Sequence, residues 1–155
     1  MQRNRSNPSC CAGRKIITDE MTFSFHNNPC SSCPYRRDCP PGVWHESEYV
    51  KLAEYDKDTS KQPPAYFLCH DGDRENELCR GWLDTHDKTE LLALRLGVAC
   101  GTAPTDIFDL PSSGVPTFSS GTEAMRHGLD GIEKPSLEAL GLIDRLREKM
   151  SRREQ

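Results

Sequence analysis

Long hydrophobic runs are missing from this 155-residue sequence. No stretch reaches the roughly 18 apolar residues that predict a membrane-spanning helix, and the N-terminal segment lacks the apolar core of a secretory signal. A cytoplasmic protein without membrane segments is therefore expected. Apolar residues make up only 35% of the chain, and the mean hydropathy is -0.72. This composition predicts a small core that needs additional stabilisation, for example by a bound metal ion.

Catalytic motifs are also missing. The chain has no Gly-rich phosphate loop, serine nucleophile elbow or metallohydrolase signature. Cys69 and His70 are neighbours, and adjacent residues rarely form a nucleophile–base pair side chain to side chain. A net charge of -4 argues against general binding of polyanions. The sequence favours a non-enzymatic protein; the alternative is a metalloenzyme with an open metal position, for which His70 and Asp71 are the candidate bases.

Cysteine, by contrast, is abundant, with eight residues. A secreted domain would use them in disulfides, and export without a recognisable signal keeps that alternative open. In a chain without a signal a metal site is favoured. Cys30 and Cys33 form a Cys-x-x-Cys pair on a predicted loop, the usual half of a metal-binding knuckle. Cys69, ending a predicted strand, and Cys79, in a predicted helix, would complete a four-thiolate site that suits tetrahedral zinc or a 4Fe–4S cluster.

Three further residues are alternate ligand candidates: Cys39, His70 and Cys11. Adjacent residues of a strand point to opposite faces, so His70 is expected to hydrogen-bond locally rather than to share an ion with Cys69. Cys39 would extend the knuckle to a Cys-x2-Cys-x5-Cys spacing typical of iron–sulfur proteins, and Cys11 would add a distant fourth ligand. Cys10 and Cys11 are otherwise expected to be free thiols, and Cys100 a small buried apolar residue.

The hydrophobic pattern predicts a mostly helical α+β fold, a small metal-stabilised domain with a short sheet. Three parts are expected: a flexible N-terminal arm (1–26), a metal-binding domain (27–130) and an amphipathic C-terminal helix (131–155) that begins at Pro135 or Ser136. Within the domain, the pattern predicts helices over 45–56, 75–84, 88–98 and 121–128, the last ended by Gly128, a strand over 65–69 and an extended piece over 106–110.

Aromatic and basic residues near the knuckle suggest a surface for a macromolecular partner. Tyr35, Arg36, Arg37 and Trp44 could contact a protein or a nucleic acid, and a protein is favoured. The alternative is structural, with Arg36 bracing the loop and Trp44 packing against the site. Trp82 could extend this face, although its helical spacing from Cys79 indicates a core residue. The oligomeric state is left open.

Several stretches together resemble a family of small uncharacterised proteins from actinobacteria and their phages. These are "PCSSCPYRRDCPPGVW", "YFLCH", "LCRGWL" and "LALRLGV", spread over residues 29–128. The resemblance implies a metal-site protein with ligands Cys30, Cys33, Cys69 and Cys79 and with His70 close by. In that family the position of Cys39 is not always cysteine, which weakens it as a ligand.

A second, partial resemblance is to WhiB-type iron–sulfur regulators, which share the three-cysteine spacing of the knuckle and a Gly-Val-Trp turn, here at 42–44. The four-cysteine site favours a zinc-binding, non-enzymatic interaction or regulatory protein, and the first resemblance implies a phage or mobile-element origin. An iron–sulfur redox or gas-sensing regulator is the alternative.

Overall fold

A computed structural model describes residues 24–72 and 76–155 of the chain. In these ranges the chain forms five α-helices and a small parallel sheet of two strands, β1 (Ser24–Phe25) and β2 (Glu77–Leu78). A mostly helical α+β fold is thereby confirmed. The α-helices are α1 (Glu46–Glu54), α2 (Arg80–Thr85), α3 (Leu92–Ala99), α4 (Gly121–Asp130) and α5 (Leu137–Arg153). Short 3-10 helices cover Thr59–Lys61, Lys88–Glu90 and Thr105–Asp109.

The predicted N-terminal arm lies outside the described residues except for its last three. Of these, Ser24 pairs with Glu77 and Phe25 with Leu78 in the parallel sheet. Within the part that the structure describes, no helix is both long and apolar enough to cross a membrane.

The segment predicted as a strand over 65–69 runs alongside β2. Cys69 N–H donates to the Glu77 carbonyl (2.7 Å), and Cys79 N–H donates to the Phe67 carbonyl (2.9 Å). The pairing is antiparallel but limited to a single bridge between Leu68 and Leu78. Because Glu77 and Leu78 belong to the sheet, the helix predicted from residue 75 begins only at Arg80. Cys79 therefore precedes α2 and is its N-cap residue.

Helices α1 and α4 pack closely because α4 carries glycine at the contact. A Cβ atom at Gly128 would overlap the ring of Tyr49, which is buried on α1. The prediction that Gly128 ends the helix was wrong, since α4 continues to Asp130. This glycine serves close packing between two helices, which local sequence does not reveal.

One carboxylate, that of Asp56, joins three helices. It accepts hydrogen bonds from the backbone N–H groups of Gly121 (2.8 Å) and Thr122 (2.6 Å) at the start of α4. It also lies 3.1 Å from Nε2 of His86, just after α2. Partial burial alone would raise the pKa of Asp56, but the hydrogen bonds from Thr122 and Gly121 lower it below its ordinary value. Helices α1, α2 and α4 are thus fixed around one charge.

Two local predictions between α3 and α4 were wrong. The segment 106–110 is not extended; it belongs to a 3-10 helix that starts after Pro104 and buries Ile107. Cys100 is exposed rather than buried. The apolar face of α3 does not continue to it, because the helix ends at Ala99 and the chain turns at Gly101, whose φ is +73°.

The C-terminal amphipathic helix is confirmed as α5. Ser136 is its N-cap residue, and the Ser136 hydroxyl accepts a hydrogen bond from Ala139 N–H at 3.1 Å. Its buried stripe of Ala139, Leu142 and Leu146 packs against Cys39 and Val43, forming a second cluster that partly buried Trp44 joins to the main core.

Candidate metal centre

Two tight turns shape the Cys30–Cys33 loop. Cys33 N–H donates to the Cys30 carbonyl (3.0 Å), and Arg36 N–H donates to the Cys33 carbonyl (3.1 Å). Cys69 and Cys79 come from the short antiparallel pairing described above, which sets their backbones opposite Glu77 and Phe67. Two hydrogen-bonded backbone segments that are far apart in sequence therefore bring the four cysteines close together.

The four sulfur atoms lie together in contacting pairs. Sγ of Cys33 is 3.7 Å from Sγ of Cys79, and Sγ of Cys69 is 3.9 Å from Sγ of Cys30. Cys30 and Cys33, one from each pair, are joined through the backbone by the Cys33 N–H to Cys30 carbonyl hydrogen bond of the loop. None of the four is in a disulfide.

Burial divides the four cysteines into an inner and an outer pair. Cys33 and Cys79 are 1% and 2% exposed, whereas Cys30 and Cys69 are only partly buried. Solvent can therefore approach the sulfur cluster from the side of Cys30 and Cys69.

The thiols perturb one another strongly. Hydrogen bonds from the thiols of Cys33 and Cys69 lower the pKa of Cys30, so its thiolate is stabilised. The hydrogen bonds to Cys30 raise the pKa of both Cys33 and Cys69, and burial adds to the rise. The neighbouring S–H groups thus favour a thiolate at Cys30 over one at Cys33 or Cys69. A cation would favour loss of the remaining protons, since thiolates are the metal-binding form.

Within 24–72 and 76–155, no group of three or more His, Cys, Asp or Glu side chains is arranged so that it could hold a metal ion as it stands. Two of the sulfur–sulfur distances nevertheless equal those around a single ion. Zinc–sulfur bonds of about 2.3 Å at tetrahedral angles separate neighbouring sulfurs by about 3.8 Å. Both contacting pairs match that edge length, so the two sulfurs of each pair are already close enough to bind one ion.

The alternate ligand candidates lie in different surroundings. Cys39 is buried in the cluster formed with α5, where burial raises its pKa to about 12, and its Sγ contacts the carbonyl of Pro40 at 3.7 Å. Nε2 of His70 is 2.6 Å from a carboxylate oxygen of Glu48, and the His70 ring packs against Trp44. His70 therefore uses one ring nitrogen in a hydrogen bond within the protein, as the sequence led us to expect. Cys10 and Cys11 lie outside the described residues.

Tyr35 and Trp82 cannot belong to a partner-binding surface. Both are fully buried, and Tyr35 packs edge-on against Phe67. The prediction that Tyr35 contacts a partner was therefore wrong: the knuckle folds back onto the core and buries the aromatic ring that follows it.

The other three residues of the predicted partner surface keep different degrees of exposure. Arg36 forms two hydrogen bonds to Asp38 (2.7 and 2.6 Å) and one to the Pro29 carbonyl (3.2 Å), which braces the loop. Trp44 is partly buried and donates from Nε1 to the Ser32 carbonyl at 2.7 Å. Arg37 has a side chain that is 51% exposed.

One residue important to the site was missed by sequence reasoning. Gly81 follows Cys79 by two positions, and a Cβ atom there would lie 2.8 Å from Cβ of Tyr35 and closer still to Sγ of Cys33. The first turn of α2 can therefore approach the knuckle only with glycine at this position. The Cys-x-Gly spacing was the available signal.

A family model described as a family of unknown function, DUF6283, matches residues 25–143. The chain belongs to this family. No curated protein and no solved structure matches the chain. The expected membership of an uncharacterised family agrees with this finding. The DUF6283 match contains all four clustered cysteines and Gly81, and it ends inside α5.

Proposed function

We propose that this protein is a zinc-binding, non-enzymatic interaction or regulatory protein, with Cys30, Cys33, Cys69 and Cys79 as ligands. The observation that carries the proposal is the pair of sulfur–sulfur distances, 3.7 and 3.9 Å, which match the edge of a zinc tetrahedron. Structural zinc would supply the stabilisation that the apolar composition lacks. A cytoplasmic location is part of the proposal, because a reducing compartment keeps such thiols available.

The short distances support a single ion over the iron–sulfur alternative. In a 4Fe–4S cluster each cysteine binds a different iron, so the sulfurs would be spread farther apart than around one ion. Cys39, which would extend the ligand set in a WhiB-like arrangement, packs against α5 instead. Both observations favour zinc.

A structural role is supported over a catalytic one. Four protein ligands fill a tetrahedral zinc and leave no position for water or substrate. The two candidate bases are also engaged, His70 with Glu48 (2.6 Å) and Asp71 with Lys149 (2.7 Å).

Purified full-length protein is expected to contain one zinc per chain and to be colourless. The measurement is elemental analysis together with a colorimetric assay of zinc released when the thiols are blocked. Protein treated with a strong chelator and desalted serves as the control and should contain no zinc. Iron with acid-labile sulfide and a brown colour would support the cluster alternative, and metal-free folded protein would refute both.

The proposed partner surface is the exposed side of the knuckle, carried by Arg36, Arg37 and Trp44. Its positive charges are largely compensated, since Arg36 pairs with Asp38 and Arg37 lies 3.6 Å from a carboxylate oxygen of Glu123. Nucleic-acid binding depends on uncompensated charge, so a protein partner is favoured. The resemblance of the cysteine loop to proteins of actinobacteria and their phages supports such a setting, in which the partner would be a host or phage protein.

A short random-sequence oligonucleotide, single-stranded or duplex, is expected not to bind at physiological salt. Fluorescence anisotropy with a labelled oligonucleotide checks this, and an Arg37→Ala variant tests any weak signal. Binding that weakens steeply with salt and is lost in Arg37→Ala would replace the protein partner with a nucleic acid.

A further inference from the structure

Among the described residues, helix α5 contacts the rest of the chain in an apolar and a polar attachment, each next to a segment that carries a candidate zinc ligand. The first attachment is apolar: Leu142 and Leu146 pack against Cys39 and Val43 in the chain that follows the knuckle. The second is polar and lies at the other end of the helix. There, Nζ of Lys149 donates to both the carbonyl and Oδ1 of Asp71, each at 2.7 Å, and Arg153 donates to the Gly72 carbonyl.

The polar attachment, which we name the latch, holds the turn that directly follows Cys69. Gly72 N–H is hydrogen-bonded to the Cys69 carbonyl at 3.4 Å, so the latched residues are also tied to the backbone of Cys69. Cys69 is on the partly exposed side of the sulfur cluster, whereas Cys33 and Cys79 are almost completely buried. Metal exchange with solvent would therefore begin at Cys69 or Cys30, and the latch restrains the first of these.

We propose that the latch controls the metal site: docking of α5 onto Asp71 and Gly72 retains zinc, and undocking of α5 speeds zinc release. This inference rests on the proposed function. Undocking would expose the buried stripe of α5, Cys39 and Val43, whereas the buried residues of the main core belong to a different cluster. Leu137 is 89% exposed and Met150 58% exposed, so both ends of the helix leave apolar side chains in solvent.

Regulation follows from thermodynamic linkage. If docking of α5 favours bound zinc, bound zinc favours docking by the same factor. Any molecule that captures undocked α5 would then lower the affinity of the site for zinc. Lys149 and Arg153 lie beyond the family match, which ends at residue 143. The two basic residues of the latch therefore lie outside the matched region, whereas Asp71 and Gly72 lie inside it.

The test compares two double variants of the full-length, zinc-loaded protein. Lys149→Ala with Arg153→Ala removes the latch. Arg147→Ala with Arg152→Ala is the matched control, since both of its side chains are 77% exposed and pair within α5, with Asp144 and Glu148. Zinc affinity is measured by competition with a chromophoric chelator. Hydrogen exchange measures the protection of the amides in α5 (137–153), with α1 and α4 as internal references.

The latch variant is expected to lose about 10-fold in zinc affinity, to release zinc faster and to exchange amides of α5 faster. Protection of α1 and α4 and the content of one zinc per chain should be kept, and the control should match the unmodified protein. If α5 exchanges faster but zinc affinity and release are unchanged, or if neither changes, the latch is refuted while the zinc site stands. If the unmodified protein binds no zinc, the proposed function fails and the latch fails with it.

Discussion

Replacing Cys79 by serine is expected to abolish zinc binding and to unfold the domain. Cys79 is 2% exposed, contacts Sγ of Cys33 at 3.7 Å and is the N-cap residue of α2. Structural zinc contributes about 10–16 kcal/mol in small zinc-binding peptides, whereas whole domains are stable by only about 5–15 kcal/mol. Loss of the ion would therefore remove a free energy comparable to the whole free energy of unfolding of the domain. Elemental analysis and thermal unfolding followed by circular dichroism check both outcomes.

Cys100→Ser is the matched control for this experiment, because Cys100 is an exposed cysteine at the end of α3. It should keep one zinc per chain and the original melting temperature. A Cys79→Ser protein with full zinc content and an unchanged melting temperature would show that Cys79 is not a ligand.

Gly81→Ala is expected to destabilise the protein by about 3 kcal/mol, at the upper end of the cost of overpacking a core. The added methyl group would meet Sγ of Cys33 and Cβ of Tyr35, and Tyr35 is itself fully buried. Either the knuckle or the first turn of α2 must move, and each carries a proposed ligand. The substitution should therefore lower zinc affinity as well as stability, as measured by chelator competition and by urea unfolding.

Gly141→Ala separates this steric effect from the general effect of removing a helical glycine. A Cβ atom at Gly141 has no neighbour within 4 Å. Alanine at this site of α5 should stabilise the helix by up to about 1 kcal/mol and leave zinc affinity unaffected. Equal behaviour of the two variants would mean that close approach at Gly81 is unimportant.

Local patterns predicted those parts of the fold that depend on neighbours in sequence. The apolar repeat of α5 and its cap at Ser136 are one case, because both are determined within a few residues. Gly128 is the opposite case. Its role is to admit the ring of Tyr49 from a distant helix, and the same residue type commonly ends helices.

The candidate site likewise combines features that the local sequence predicts with features that depend on distant contacts. Cysteine spacing predicted which four residues to consider, and the structure brings their sulfurs together. Spacing could not predict that Cys39 turns toward α5, because that depends on where a helix about one hundred residues later docks. Nor could it predict the burial of Tyr35, whose surroundings include Phe67 and Gly81 from separate segments.

The pairing of the sulfur atoms has a consequence for the order of assembly. Cys33 and Cys79 are separated by 46 positions and Cys30 and Cys69 by 39, whereas Cys30 and Cys33 are joined by a single turn. Closing either long loop costs about 2 kcal/mol more in chain entropy than closing the short one. An ion that meets the newly made chain would therefore be captured first by Cys30 and Cys33. The segment with Cys69 and the start of α2 would join later, so zinc would act as a folding nucleus.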